Sequence, residues 1–317
     1  MIDRELADPV FIHGISPRSG TNFVWDLLLL HPACVPAVEP VREDLFLEHS
    51  DDLLRFARSV RAAWDPRWGT FGDDLPARLC AALGAGLISF LWTDRDRRLV
   101  TKSPSVQHLD RFFTFFPTAR LLVLVRDGRS VTRSAMETFG WKFERAARVW
   151  ADGANEVRRF RQVYGDAHPE RWRLVRYEAL VENLEAELPE ILRFLGLDLD
   201  RYDMEEARRL PVRGSSSFFG EGRSEVHWEP VQKDPSFRPT ERWNSWTRDR
   251  LERFEWLAGD QLRYLGYGSR LSPREAGSAA RHRLLDMGWA AQSGAARART
   301  RLAVLSRPFR ERLGLLR

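Results

Sequence analysis

The chain has 317 residues, of which 43% are hydrophobic and 30% are charged. This length and composition support a sizeable folded core and exclude an intrinsically disordered protein. Two cysteines, Cys34 and Cys80, are too few for a disulfide framework or a zinc site. The N-terminus has acidic residues where a signal peptide needs a basic start, so we expect a cytoplasmic protein.

The net charge of +5 is unevenly distributed along the chain. Residues 269–317 contain eleven arginines, no lysine and three acidic residues, a net charge of +8, so residues 1–268 carry −3. The basic character therefore belongs to the C-terminal segment, and we expect no nucleic-acid partner for the body. We divide the chain into a main domain, residues 1–268, and a basic, arginine-rich extension, residues 269–317.

Short apolar runs alternate with helical patterns, which predicts an α/β fold with a central parallel sheet. The predicted strands are Val10–Ile15, Leu99–Lys102, Leu121–Val125 and Trp172–Tyr177. The predicted helices are Thr21–Leu30, a long exposed helix over Lys142–Val163, and amphipathic helices over Leu180–Leu195 and Leu251–Leu265. Residues 64–76 and 211–242 are expected to be irregular, and the second stretch is a candidate lid.

The first predicted strand leads directly into the loop Pro17–Asn22, PRSGTN, and then into a helix. A strand, a glycine-containing turn and a helix N-terminus direct backbone N–H groups at an anion. Arg18 adds a permanent positive charge, and Gly20 permits close approach of the backbone. A P-loop nucleotidase needs a lysine after the glycine, where this chain has Thr21.

A second candidate anion site follows the predicted strand Leu121–Val125. Arg126 stands at the carboxyl end of that strand, where open α/β sheets bind ligands, and Ser134 follows eight residues later. Two such segments, each after a strand, suit a nucleotide that carries two separate phosphates.

The PRSGTN loop followed by Arg126 and Ser134 resembles the 5′-phosphosulfate loop and the 3′-phosphate element of the sulfotransferase superfamily. The chain is most similar to the bacterial and protein-tyrosine-sulfotransferase-like branch, over about residues 9–267. The resemblance implies a three-layer P-loop-type α/β fold with helices on both faces of the sheet. It also implies transfer of a sulfuryl group from 3′-phosphoadenosine-5′-phosphosulfate (PAPS) to an acceptor hydroxyl or amine, without a metal.

The resemblance assigns donor binding to the phosphate loop, the second anion site, a strand-end tyrosine and the candidate lid. These residues are Arg18, Ser19, Gly20, Thr21, Asn22, Arg126, Ser134, Tyr177, Ser215, Ser217, Arg242 and Trp243.

The resemblance assigns catalysis to Glu39, Arg18 and Lys102. Glu39 follows Arg18 by 21 residues and is the expected general base, with Glu43 and Asp44 as weaker alternatives. Lys102 is the expected second cation over the leaving phosphate. Small-molecule sulfotransferases have a histidine two residues after this lysine, where this chain has a proline, and this difference favours a carboxylate base. His108 is expected on a helix surface.

Two other functions stay open from the residues alone. These are a kinase-like P-loop phosphotransferase and a non-catalytic module that binds an anionic nucleotide. The acceptor is equally open among saccharide, lipid, peptidyl tyrosine and small molecule, because acceptor contacts lie on variable loops.

The extension combines its arginines with apolar residues, a composition typical of segments that lie on an anionic membrane surface. We expect peripheral contact with the inner membrane face. The first apolar cluster is Leu284, Leu285, Met287 and Trp289, and the second is Leu302, Val304, Leu305, Phe309, Leu313, Leu315 and Leu316.

Overall fold

A computed structural model describes residues 8–68, 72–165, 168–210, 216–218, 224–226, 240, 243–268 and 279–294. The strands in these ranges are β1 (Val10–Gly14), β2 (Cys34–Pro36), β3 (Arg98–Ser103), β4 (Arg120–Val125), β5 (Trp172–Arg176), β6 (Ser216–Phe218) and β7 (Ser224–Val226). The first helices are α1 (Thr21–Leu29), α2 (Ser50–Ala63), α3 (Leu75–Leu91), α4 (Phe112–Phe115), α5 (Gly128–Phe139) and α6 (Phe143–Tyr164). The remaining helices are α7 (Tyr177–Glu182), α8 (Leu184–Leu195), α9 (Met204–Arg209), α10 (Arg248–Tyr264) and α11 (residues 279–294).

The central sheet has the strand order β2-β3-β1-β4-β5, and every pair in it is parallel. Ile12 of β1 pairs with Lys102 of β3 on one side and with Leu122 of β4 on the other. The carboxyl ends of three adjacent strands therefore meet at one edge of the sheet. All four predicted strands are present, whereas the three-residue strand β2 is too short to have shown a periodic pattern.

Alternating side chains of the strands enter two separate cores. Phe11, Leu121 and Val123 pack in the core that includes α6 and α10. Ile12, Leu122 and Leu124 pack in the other core, which includes α1 and α8. The predicted three-layer α/β architecture is confirmed, since both faces of the sheet are covered and the strands contribute buried apolar side chains to both cores.

Three sequence predictions need correction. The amphipathic pattern over Leu180–Leu195 belongs to two helices, because Asn183 has non-helical dihedrals (φ −142°, ψ 61°) and separates α7 from α8. The helix predicted to be exposed, α6, buries one full face that includes Trp150, Val157 and Phe160. The stretch 211–242, expected to be irregular, contains the antiparallel strands β6 and β7 among its described residues.

Helix α11, in the extension, docks on α10 and α6 through polar groups. The Arg253 guanidinium, 5% exposed, donates to the Asp286 carboxylate (2.7 Å) and to the His282 carbonyl (3.0 Å). Trp256 donates its indole N–H to Asp286 at 2.9 Å. The apolar side chains of Leu284, Leu285 and Met287 remain exposed, so this helix turns its polar face toward the protein. Among the described helices, none has the length and apolar character that a membrane span needs.

Gly153 sets how closely α6 approaches the end of β1. A Cβ at this position would overlap the carbonyl oxygen of Ile15, which is backbone and has no room to rotate away. We therefore expect Gly153→Ala to lower the free energy of unfolding by about 1–3 kcal/mol, the cost typical of overpacking. The measurement is urea denaturation followed by circular dichroism.

The matched control is Gly86→Ala, in the interior of α3, where a Cβ meets no atom within 4 Å. This change should raise stability by about 0.5–1 kcal/mol, because alanine favours the helix more than glycine. A Gly153→Ala protein as stable as the control would contradict the close approach.

Candidate active site

The phosphate loop Pro17–Asn22 is stabilised by hydrogen bonds between Ser19 and Ser16, the residue just before the loop. The Ser19 hydroxyl donates to the Ser16 carbonyl at 2.6 Å and accepts from the Ser16 N–H at 3.2 Å. Arg18 (φ 77°) and Gly20 (φ 101°) have left-handed conformations, and a Cβ at Gly20 would overlap the ring of Tyr177. Turns of this kind, followed by a helix N-terminus, form concave arrays of N–H groups that suit an anion.

The loop and the second predicted anion site are in direct contact. The Arg18 Nε donates to the Ser134 hydroxyl on α5 at 3.1 Å. The Arg126 guanidinium donates to the Arg18 carbonyl at 2.8 Å and stacks on the ring of Tyr177, 4.3 Å from its centroid. Four residues predicted separately from the sequence therefore form one cluster at the carboxyl ends of β1 and β4.

Thr21 and Asn22 form the first turn of α1, where Thr21 is buried and Asn22 is half-buried. Trp243 is buried and packs on the guanidinium of Arg129, 3.8 Å from the ring centroid. Ser215 and Arg242 lie outside the described residues. Ser217 belongs to β6, and its side chain is also outside the described part.

A polar network fixes the start of α5 and was not found from the sequence. The Asp127 carboxylate caps the helix by accepting from the Arg129 N–H, and it pairs with the Arg129 guanidinium at 2.6 Å. Glu178 accepts from the Asp127 N–H at 2.8 Å and from the Tyr267 hydroxyl at 2.9 Å. Burial raises the pKa of Glu178, and the N–H of Asp127 opposes that rise. The sequence could have revealed the network through Asp127, an acidic residue that follows the apolar strand Leu121–Val125 and Arg126.

Lys102 lies at the end of β3, is 2% exposed, and meets a carboxylate of the segment after β2. Its ammonium nitrogen is 3.5 Å from the Oε1 atom of Glu43. Burial lowers the pKa of Lys102 and raises the pKa of Glu43, while their mutual attraction opposes both changes.

The backbone around Glu43 is fixed to β3. The Asp44 N–H donates to the Lys102 carbonyl at 3.0 Å, and the Thr101 hydroxyl donates to the Asp44 carboxylate at 2.9 Å. Glu39 lies in the same segment but is exposed. The structure thus brings Glu43, rather than Glu39, into contact with Lys102.

A sulfotransferase family model matches residues 9–201, more than half of the chain and all of the elements described above from β1 to α8. The chain belongs to the sulfotransferase family. This confirms the sequence-based identification, and the protein is an enzyme of that class. Comparison with curated proteins yields no match.

Solved sulfotransferases resemble this one at low sequence identity. The sulfotransferase domain of an olefin synthase from Synechococcus PCC 7002 is 19% identical, with a TM-score of 0.48, and the alignment covers 84% of this chain and 97% of that chain. A sulfotransferase from Alicyclobacillus acidocaldarius is 16% identical, with a TM-score of 0.45 and coverages of 81% and 94%. A mouse sulfotransferase complexed with PAP is 15% identical, with a TM-score of 0.41 and coverages of 81% and 84%.

The chemistry of this edge of the sulfotransferase is cationic and polar. Arg18, Lys102 and Arg126 follow or end three adjacent strands, and the N-terminus of α1 points to the same edge. Such an arrangement neutralises negative charge on a phosphate or sulfate. Within the described ranges, no group of three or more His, Cys, Asp or Glu side chains is arranged to hold a metal ion.

Proposed function

We propose that this sulfotransferase transfers the sulfuryl group of PAPS to an acceptor hydroxyl or amine. The observation that carries the proposal is the contact between the two anion-binding segments through Arg18, Ser134 and Arg126. A donor with a 5′-phosphosulfate and a 3′-phosphate needs two anion-binding segments that border one site. A kinase substrate such as ATP carries its phosphates in one chain and has no use for the second site.

Each residue has a distinct role in the proposed reaction. The acceptor oxygen forms a bond to sulfur while the bond between sulfur and the 5′-phosphate oxygen breaks, and a carboxylate takes the acceptor's proton. Arg18 and Lys102 stabilise the negative charge that gathers on the 5′-phosphate oxygen of the product, 3′-phosphoadenosine-5′-phosphate. Arg126 and Ser134 hold the 3′-phosphate, which does not react. Tyr177 packs against the phosphate loop at Gly20 and contacts the nucleotide. The proposed lid contains Ser215, Ser217, Arg242 and Trp243.

The proposed base is a carboxylate of the segment that follows β2. Glu39 is the residue assigned by the resemblance, and its exposure leaves it accessible to an acceptor. Glu43 is the second candidate, because it contacts Lys102. Glu43 lies next to the strand end at which Lys102 stands, and Glu39 precedes it by four residues in the same segment.

Donor binding tests the nucleotide assignment. We expect 3′-phosphoadenosine-5′-phosphate to bind with micromolar or lower Kd in the presence of a chelator, as measured by calorimetry. Arg126→Ala should weaken binding about tenfold or more, since a hydrogen bond to a charged group contributes about 1.5–3 kcal/mol. Arg133→Ala is the matched control on the same α5, where Arg133 is half-buried and pairs with Glu137, and it should leave the Kd unchanged. Preference for ATP, or a requirement for Mg²⁺, would favour the kinase-like alternative.

Substitution of the two carboxylates tests the base. We expect Glu39→Gln to lower turnover by ~10²–10⁴-fold with unchanged donor affinity, the loss typical of a removed general base. Glu43→Gln should have the smaller effect. A base must be deprotonated, so the rate falls as pH falls through its pKa.

A larger loss of turnover in Glu43→Gln than in Glu39→Gln would identify Glu43 as the base. Burial raises the pKa of Glu43, so the acidic limb of the pH–rate profile would then lie above the usual range of a glutamate. Near-normal activity in both variants would remove this segment from the mechanism.

We further propose that the extension attaches the enzyme peripherally to an anionic, inner membrane face. The support is the orientation of α11, which exposes Leu284, Leu285 and Met287 beside exposed arginines, among them Arg281 and Arg283. Each arginine near an anionic surface contributes roughly 1 kcal/mol, and apolar side chains add by insertion at the interface. The second apolar cluster, residues 302–316, lies outside the described residues.

Liposome co-sedimentation at low salt tests the attachment. We expect the full-length protein to bind phosphatidylserine-rich vesicles, and we expect Leu284→Ser, Leu285→Ser and Met287→Ser together to reduce that binding severalfold. The control combines Phe56→Ser and Phe90→Ser, two exposed aromatics on α2 and α3. Equal binding by both variants would show that α11 is not the contact.

A further inference from the structure

One cavity adjoins the catalytic edge and has no role in the functions assigned so far. It has a volume of about 700 Å³, within the range of small-ligand sites. One rim is Ser16 and Pro17, immediately before Arg18, and the opposite rim begins at Pro104, two residues after Lys102. Its wall is α6 from Val149 to Arg159, and we name it the α6 cavity.

The position of the α6 cavity follows from close backbone packing. Gly153 lets α6 rest against the carbonyl of Ile15, so the helix reaches the root of the phosphate loop. The segment after β3 is held there too, because the ring of His13 on β1 hydrogen-bonds the carbonyl of Ser105 at 2.8 Å. The cavity is therefore bounded by the two segments that carry the proposed catalytic cations, as an acceptor site must be.

The lining combines donors and acceptors. On α6, Asp152 and Glu156 are one helical turn apart and offer carboxylate oxygens, which only accept hydrogen bonds. Asn155 lies between them, and its amide oxygen accepts from Gln261 at 3.1 Å, so its N–H₂ group is left to donate. Gln107 on the opposite rim offers both functions. A hydroxyl group satisfies both kinds of partner, whereas an ammonium group only donates and a carboxylate only accepts.

Charge and shape restrict the acceptor further. The carboxylates of Asp152 and Glu156 are balanced by the guanidinium groups of Arg158 and Arg159 in the same lining, and Glu156 pairs with Arg159. This balance favours an uncharged acceptor over an anion or a cation. Among the described residues, the lining has no phenylalanine, tyrosine or tryptophan, so it offers a planar phenol little aromatic surface beyond the ring of His108. Pro17, Pro104 and Val106 instead supply aliphatic surface for the C–H groups of a sugar ring.

We propose that the α6 cavity is the acceptor site and that the acceptor is an uncharged, hydroxyl-rich molecule of one or two sugar rings. The inference rests on the proposed sulfuryl transfer, in which a sugar hydroxyl oxygen bonds to sulfur and gives its proton to the carboxylate base. Gln107 and Asp152 bind and orient the sugar, and they take no part in donor binding.

The test uses the full-length enzyme with ³⁵S-labelled PAPS and a panel of maltose, cellobiose, lactose, a phenol and a tyrosyl peptide. We expect label in one or more of the disaccharides. Gln107→Leu should raise KM for that sugar about threefold to tenfold, the effect of one lost hydrogen bond, with kcat nearly unchanged. Gln162→Leu makes the same chemical change on the exposed part of α6 outside the cavity and should leave KM unchanged. Asp152→Leu should raise KM further and should improve use of anionic acceptors.

A binding experiment separates the acceptor-site inference from the proposed sulfuryl transfer. Saturation-transfer NMR measures binding of the same disaccharides to the enzyme loaded with 3′-phosphoadenosine-5′-phosphate. Sugar binding that Gln107→Leu weakens, without transfer of label, would support the cavity and contradict the proposed activity. Transfer only to the phenol or the peptide, with equal KM in the Gln107→Leu and Gln162→Leu enzymes, would overturn the cavity inference and leave sulfuryl transfer intact. Neither sugar binding nor transfer to any acceptor would overturn both.

Discussion

Arg126 is the side chain on which the proposed donor site depends. It is 5% exposed, its guanidinium donates to the carbonyl of Arg18, and it stacks on the ring of Tyr177. Its own carbonyl accepts from the buried indole N–H of Trp150 at 3.0 Å, which ties the strand end to α6. One residue thus couples the phosphate loop, the end of β4 and the helix that walls the α6 cavity. A buried guanidinium has lost its contacts with water, so the hydrogen bond to Arg18 and the stacking on Tyr177 limit how far the surrounding elements can shift.

The segment after β2 contributes the carboxylates of the proposed mechanism, and its position depends on β3. The hydrogen bonds of Asp44 to the end of β3 hold Glu43 beside Lys102, in a pairing that burial would otherwise disfavour for both partners. Donor binding would bring further negative charge toward Lys102. The donor's negative charge and the Glu43 carboxylate would compete for Lys102, whereas Glu39 does not contact this lysine. This difference is a physical reason for the two carboxylates to have different roles.

Helix α11 of the extension is joined to α6 and α10 by an ionic network around the buried Arg253. Arg253 pairs with both Glu144 and Asp286, and Asp286 also accepts from Trp256. The network spans α6, α10 and α11, and α6 also lines the α6 cavity. The surface proposed to contact a membrane and the wall proposed to bind the acceptor are therefore parts of one helical layer. Such a layer would orient the cavity with respect to the membrane.

The sequence by itself determined the class of fold, and it singled out the loop Pro17–Asn22 and the cations of the proposed site. Apolar runs such as Leu121–Val125 and a strand–loop–helix order are local patterns. Local patterns can be recognised from the sequence alone. Gly20, Arg18 and Arg126 were found for the same reason. The sequence also showed the charge of the extension, because charge is a property of composition.

Only the tertiary structure decided which residues meet. The contact between Arg18 and Ser134 joins positions 116 residues apart, and the pairing of Lys102 with Glu43 joins different strand ends. The apolar spacing over Leu180–Leu195 predicted one helix, but the structure breaks it at Asn183. A local change of backbone dihedrals leaves the apolar periodicity intact, so the sequence did not reveal the break. The face of α6 that carries Asp152 and Asn155 was read as solvated surface. It became a cavity wall only because Gly153 brings that helix against β1, and such a distance is fixed by packing between layers, which no single stretch of sequence encodes.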